Sequence, residues 1–244
     1  MNKTTVITGV LGGIGSQLAK AFKEKGYNVI GLDIKKGESK NCDKFFEFDL
    51  NRYCVDATYK TEIEAIFNLE IPEIFLLINN AALQVLGSLD EIKLSDWQQT
   101  LNVNLTGPLM LSQFFFERLE KSKGSIINIA SVHHQLTKKR FLAYATSKSA
   151  LVGLTKALSV DLQGRIRVNS ISPAAIDTQM LRDGFNNDES KVQQLNELHP
   201  LQRIGKPQEV SKLALLLAED ELGFINGANI SIDGGISNVL KDLD

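Results

Sequence analysis

At 244 residues, with 27 basic and 29 acidic side chains and a formal net charge of −2, the chain has the length of one large α/β domain or two small ones. Hydrophobic residues make up 43% and charged residues 23%, as in an ordinary soluble globular protein, and both signs of charge are interspersed. The absence of a basic stripe argues against nucleic acid or anionic membrane as partners, and no apolar run reaches the ~18–20 residues that span a bilayer.

The first residues, MNKTTVITGV, lead almost directly into an apolar strand with no signal-peptide core. Cys42 and Cys54 form no CxxC and fit reduced thiols, so a cytoplasmic location is expected. Strands are predicted at 4–8, 28–32, 44–48, 74–78, 125–130, 167–171 and 229–232. Between them run helical periodicities. Ile14, Leu18, Ala21 and Phe22 form one stripe; Leu151, Leu154, Ala157 and Leu158 form another; Pro207 suits a first helical position ahead of Val210, Leu213, Ala214 and Leu217. Ser95 with Gln98 reads as a capping box that opens a long helix, disturbed near Pro108. The short span after Asp33 leaves little room for a helix between the second and third strands.

Alternating strands and helices, with nearly continuous apolar strands, imply a single-domain, doubly wound α/β fold. Its parallel sheet has about seven strands and helices on both faces, a Rossmann-type arrangement, and residues 1–244 form one unit. The polar segment 176–199 follows a strand end and is expected to be a substrate-binding lid, a solvated helical insertion being the alternative for its second half.

After the first strand, TGVLGGIG (8–15) places Gly9, Gly13, Ile14 and Gly15 at the entrance to a helix. Such a turn lets backbone approach a pyrophosphate, and the helix N-terminus favours the negative charge. Asp33, 18 residues beyond Gly15, stands where a carboxylate accepts hydrogen bonds from an adenosine ribose; a simple turn residue is the alternative. Farther on, AYATSK holds Tyr144 and Lys148 four residues apart on one helix face. A phenol titrates near ~10, and a fixed ammonium nearby would favour its ionised form.

In their order and spacing, TGxxxGxG, NNAA (79–82), Ser131 and Tyr144-xxx-Lys148 resemble the short-chain dehydrogenase/reductase family. The resemblance runs on through NVNLTG (102–107), NSISPAAIDT (169–178), PLQRIGKPQEV (200–210) and INGANISIDGG (225–235), and so covers essentially the whole chain. It implies a hydride transfer with Tyr144 as general acid/base and Lys148 lowering its pKa and binding the nicotinamide ribose. It further implies that Ser131 holds the substrate oxygen and that Asn104 relays protons from Lys148 to solvent through water. Asp49 would face adenine, Asn79 and Ala81 would lie along the adenosine, and Pro173, Ile176 and Thr178 would hold the carboxamide. The family commonly has glycine where Ala82 and Ala174 stand, which bears on the substrate more than on the reaction.

Gln84, His133 and His134 are candidates for contacting the substrate; no third ligand at a suitable spacing makes the histidine pair a metal site. The leading expectation is an NAD-dependent enzyme oxidising a secondary alcohol, or reducing the matching ketone, as a homotetramer. An NADPH-dependent 3-oxoacyl thioester reductase and a non-catalytic dinucleotide sensor are the alternatives. NAD is expected because Asp33 would repel the 2′-phosphate of NADP.

Overall fold

The apolar runs pair side by side in the computed structural model, which describes residues 3–37 and 39–240. Strands β1 (Thr4–Thr8), β2 (Asn28–Asp33), β3 (Lys44–Glu47), β4 (Leu76–Asn79), β5 (Ser125–Ile129), β6 (Arg167–Pro173) and β7 (Asn229–Ile232) form one sheet in the order β3-β2-β1-β4-β5-β6-β7. Every pairing is parallel. Successive side chains enter opposite faces, as the pleat requires. Val6, Leu77 and Ile126 pack into one core cluster, and their neighbours Ile7, Ile78 and Ile127 into the other.

Helices α1 (Gly13–Glu24) and α9 (Pro207–Ala218) cover the second of these faces through Leu18, Phe22, Val210 and Leu217. Helices α2 (Leu50–Val55), α3 (Ala57–Glu70) and α5 (Gly107–Ser122) supply Tyr53, Phe67, Phe115 and Leu119 to the first face, joined by Leu158 of α6 (Leu142–Asp161). Among the described residues no helix lies between β2 and β3, in keeping with the short span. Strand order reverses between β1 and β4, and the crevice beyond their carboxyl ends is where such sheets bind ligands.

Two expectations need correction. Helix α4 (Leu94–Leu101) has Lys93 as its N-cap, without a side-chain cap bond, so Ser95 lies inside the first turn and makes no capping box. Apolar Leu94 already belongs to the helix, and Trp97 N–H donates to the Lys93 carbonyl. The helix then widens into a π segment at Asn102–Thr106 before α5, so the disturbance precedes Pro108. Proline has no N–H for the carbonyl four residues back, and one extra residue per turn absorbs the loss. Leu151 of α6 is buried with Ala130, and Phe114 of α5 packs on the first core cluster.

Segment 176–199 contains α7 (Gln179–Gly184) and α8 (Glu189–Leu198). Arg182 pins both, donating to Asp177 at 2.9 Å and Glu189 at 2.6 Å. Among the described residues, no helix is long and apolar enough to cross a membrane.

Candidate active site

The glycine loop is stitched to the strands on either side of it. Leu11 N–H donates to Asp33 Oδ2 at 2.8 Å, and Lys35 N–H donates to Oδ1 at 3.0 Å, so the Asp33 carboxylate sits at the loop edge with both oxygens engaged. From the other side, Asn80 Nδ2 donates to the carbonyls of Thr8 and Gly9, while Thr8 Oγ1 accepts the N–H groups of Asn80 and Ala81. Gly9 has φ +65°, and a Cβ there would lie 2.8 Å from Ala81 Cα. At Gly15 a Cβ would overlap the Gly9 carbonyl oxygen. The first turn of α1 carries no acidic residue and no side-chain cap, so its N–H groups are left to an anion. The tight turn, open helix end and edge carboxylate fit a dinucleotide, and a groove of about 540 Å³ lined by Val10, Leu11, Ser16, Ser39 and Lys40 runs beside them.

Past β5, Ser131 caps a 3₁₀ turn, Val132–His134, and its hydroxyl accepts the His133 N–H at 3.2 Å. The same hydroxyl lies near the Tyr144 phenol and favours its ionised form. Burial pushes the Tyr144 phenol up, and the Ser131 hydroxyl opposes it. Lys148 is buried on the next turn, its Nζ donating to the Ile129 carbonyl at 2.7 Å and lying 5.7 Å from the Tyr144 ring centroid. Burial lowers its pKa to about 7. Burial thus acts on both members of the pair, disfavouring the ionised phenol and the ammonium alike.

Asn104, fully buried in the π segment, clamps the loop after β4. Its Oδ1 accepts Leu83 N–H at 2.8 Å, and its Nδ2 donates to the Leu83 carbonyl and the Ser147 hydroxyl, each at 2.9 Å. Ser147 in turn donates to the Tyr144 carbonyl at 2.7 Å, tying clamp to catalytic helix. The same loop is stapled farther along by Gly87 N–H on the Arg140 carbonyl and by the Arg140–Glu91 ion pair. Gln84, half-buried, lies between the two fastenings.

The two histidines part company. His133 stacks on Phe141, with centroids 4.5 Å apart, and meets Tyr144 edge-on at 5.8 Å. Burial, then Lys138, lowers its pKa to about 4, so it is neutral near pH 7. His134 instead bonds the Ser131 carbonyl and Asn229 through its two ring nitrogens, which leaves none for a substrate and corrects its expected role.

Asn79 points its amide to Asn128 at 2.8 Å within the interior, so it is Asn80, missed in the sequence, that braces the glycine loop. Asp49 caps α2 through Arg52 N–H and donates its own N–H to Tyr59 Oη. Pro173 ends β6, Ile176 pairs with Gly205, and Thr178 caps α7 with its methyl against Gly13. Asn128, another polar residue missed in an apolar strand, donates to Thr155 on α6. No cluster of three metal-ligating side chains occurs among the described residues.

A family model described as enoyl-(acyl carrier protein) reductase matches residues 9–237. D-threitol dehydrogenase of Mycolicibacterium smegmatis is 31% identical across 96% of this chain and 92% of its own length. Among solved structures, ligand-free aldohexose dehydrogenase of Thermoplasma acidophilum is 34% identical with a TM-score of 0.91, covering 100% of this chain and 97% of that one. A 4-hydroxyisoleucine dehydrogenase complexed with NADH is 31% identical with a TM-score of 0.87, covering 98% and 100%.

Proposed function

Because the chain belongs to the short-chain dehydrogenase/reductase family, we propose that it is an NAD-dependent dehydrogenase of a secondary alcohol, a polyol, sugar or cyclic diol. Oxidoreduction of an alcohol with NAD(P) is the general reaction of its relatives. The observation that carries the reading is the convergence of Ser131, Tyr144 and Lys148 beside a glycine loop edged by Asp33.

A bound nicotinamide dinucleotide supplies the hydride acceptor for oxidation and the hydride donor for reduction. The chain supplies position and the proton path. Ser131 Oγ holds the substrate oxygen beside Tyr144 Oη, which takes the alcohol proton on oxidation and returns it on reduction. Lys148 holds the ribose hydroxyls and favours the phenolate when protonated. Proton exchange continues past Asn104 and on to solvent through water.

Gly9, Gly13, Ile14 and Gly15 carry the pyrophosphate in this reading. Asp49, Asn79 and Ala81 flank the adenosine, and Pro173, Ile176 and Thr178 face the carboxamide. Segment 176–199 closes over the substrate, with Gln84 and His133 on the pocket wall. Asp33 favours NAD: like charges ~4 Å apart repel by ~4 kcal/mol at an effective dielectric near 20, where tenfold selectivity needs ~1.4. Lys36 supports this choice by facing Glu47 at 3.9 Å. Ser39 and Lys40 on the nearby groove favour the second reading, an NADPH-dependent reductase of 3-oxoacyl thioesters. We place the enzyme in the cytoplasm as a homotetramer, in which half-buried Leu109 and Leu154 add to the family likeness; a monomer mass by light scattering would contradict that assembly.

The deciding experiment follows NADH production over sugars, polyols, hydroxysteroids and hydroxyacids, and repeats it with NADP. Turnover of an alcohol with NAD is expected. Cofactor binding without turnover across the whole panel would overturn the enzyme reading.

A further inference from the structure

His134 stands three residues after Ser131, and its ring tautomer follows from its neighbours. Nδ1 lies 2.8 Å from the Ser131 carbonyl oxygen. A carbonyl has no hydrogen to offer, so the proton of that bond belongs to Nδ1. In the neutral ring Nε2 is then bare, and it accepts from Asn229 Nδ2 at 3.1 Å. The Asn229 amide is oriented for this, because its Oδ1 accepts the hydroxyls of Ser170 at 2.9 Å and Ser172 at 2.7 Å.

The Ser131 carbonyl also receives the His134 N–H at 3.0 Å, so one residue holds it at two points. From α6, Ser149 fastens the His134 carbonyl at 3.1 Å. A chain of polar contacts therefore runs from β6 and β7 through Asn229 and His134 to Ser131, the residue placed beside Tyr144 in the proposed function.

We propose that His134, as the Nδ1–H tautomer, is a positioning residue that fixes Ser131 against Tyr144 by joining the Ser131 carbonyl to Asn229 on β7. Its kinetic consequence rests on the dehydrogenase reading above; its tautomer does not.

Asparagine places an amide nitrogen near the former Nδ1, and glutamine places one near the former Nε2. His134→Asn retains the bond to Ser131 and should keep kcat within about threefold, whereas His134→Gln and His134→Phe lose it and should drop kcat by about tenfold or more, since small displacements of reacting groups are costly. KM for the coenzyme should stay within about twofold in all three, because the dinucleotide lies on the glycine loop. Asn and Gln variants with equal kcat would overturn the proposal, since a role in stability alone does not distinguish them.

Nitrogen-15 NMR of histidine-labelled wild-type protein reads the tautomer directly, with the His134 signals assigned by their loss in His134→Asn. Nδ1–H is expected, and Nε2–H overturns the proposal whether or not any variant folds. No turnover by the wild type on any alcohol fails the dehydrogenase reading and the positioning role with it. Turnover with all variants unimpaired fails the positioning role alone.

Discussion

Thr178 closes over Gly13. A Cβ built on Gly13 would lie 2.7 Å from Thr178 Cγ2 and 2.9 Å from its Cβ, so the segment after β6 rests on the glycine loop after β1. Gly13→Ala should push the two apart and weaken NADH binding by about tenfold, ~1.4 kcal/mol, with the fold retained. Adding Thr178→Ser removes the methyl but keeps the hydroxyl that caps α7, and should restore part of the affinity. Dissociation constants from NADH fluorescence check both, and unchanged binding by Gly13→Ala would count against this contact.

Tyr144→Phe removes one oxygen from a ring already packed edge-on against His133 and Phe141. The fold and NADH affinity should persist, while kcat falls by about 10²–10⁴-fold, the usual worth of a positioned acid or base. A variant retaining more than about a tenth of wild-type turnover would remove Tyr144 from that role.

Lys148 gives a stability signature in the cofactor-free protein. Its pKa is about 7 when folded, against about 10.4 for an unperturbed lysine. Between those values the unfolded chain binds more protons than the folded one, so this lysine makes stability rise with pH. Its cost is full below about pH 7 and gone above about pH 10. Lys148→Met should lack that rise. Losing the bond to the Ile129 carbonyl shifts its stability at every pH, so denaturant melts must compare slopes with pH, and parallel curves would contradict the buried-ammonium picture.

Asp33→Ser tests coenzyme choice. The wild type should prefer NAD over NADP by about tenfold or more in kcat/KM, and the substitution should narrow that ratio. Part of the effect will be lost NAD affinity, because Leu11 N–H loses its carboxylate partner. Equal efficiency of the wild type with both coenzymes would make the NADPH reductase the leading reading.

The sheet was legible because its strands are apolar runs whose length and order leave few arrangements. The glycine loop and the Tyr144–Lys148 pair were legible because their spacing is local. Partners far apart in sequence were not. His133 and His134 look alike in the chain, yet Asn229, 95 residues on, draws only one of them inward. Asn79 and Asn80 are equally indistinguishable until β5 places Asn128 beside the first and β1 places Thr8 beside the second. Leu151 belonged to a helical stripe whose far side was unknown, and Ala130 fills it. The Ser95 pattern failed for the opposite reason: a local motif was outweighed by Leu94 joining the helix one residue earlier.

The π segment has a consequence for how this chain tolerates length changes. In an α-helix each residue turns the axis by about 100° and advances it by about 1.5 Å. Deleting one residue from Asn102–Thr106 would let α4 and α5 merge into a regular helix whose two ends stay close to their present register, because the wide turn already absorbs the surplus residue, so the change falls on the segment itself. Asn104 could then no longer face Leu83 and Ser147 together. The surplus residue thus serves to aim Asn104, and a single-residue deletion here should break the site while leaving the packing of α4 and α5 largely in place.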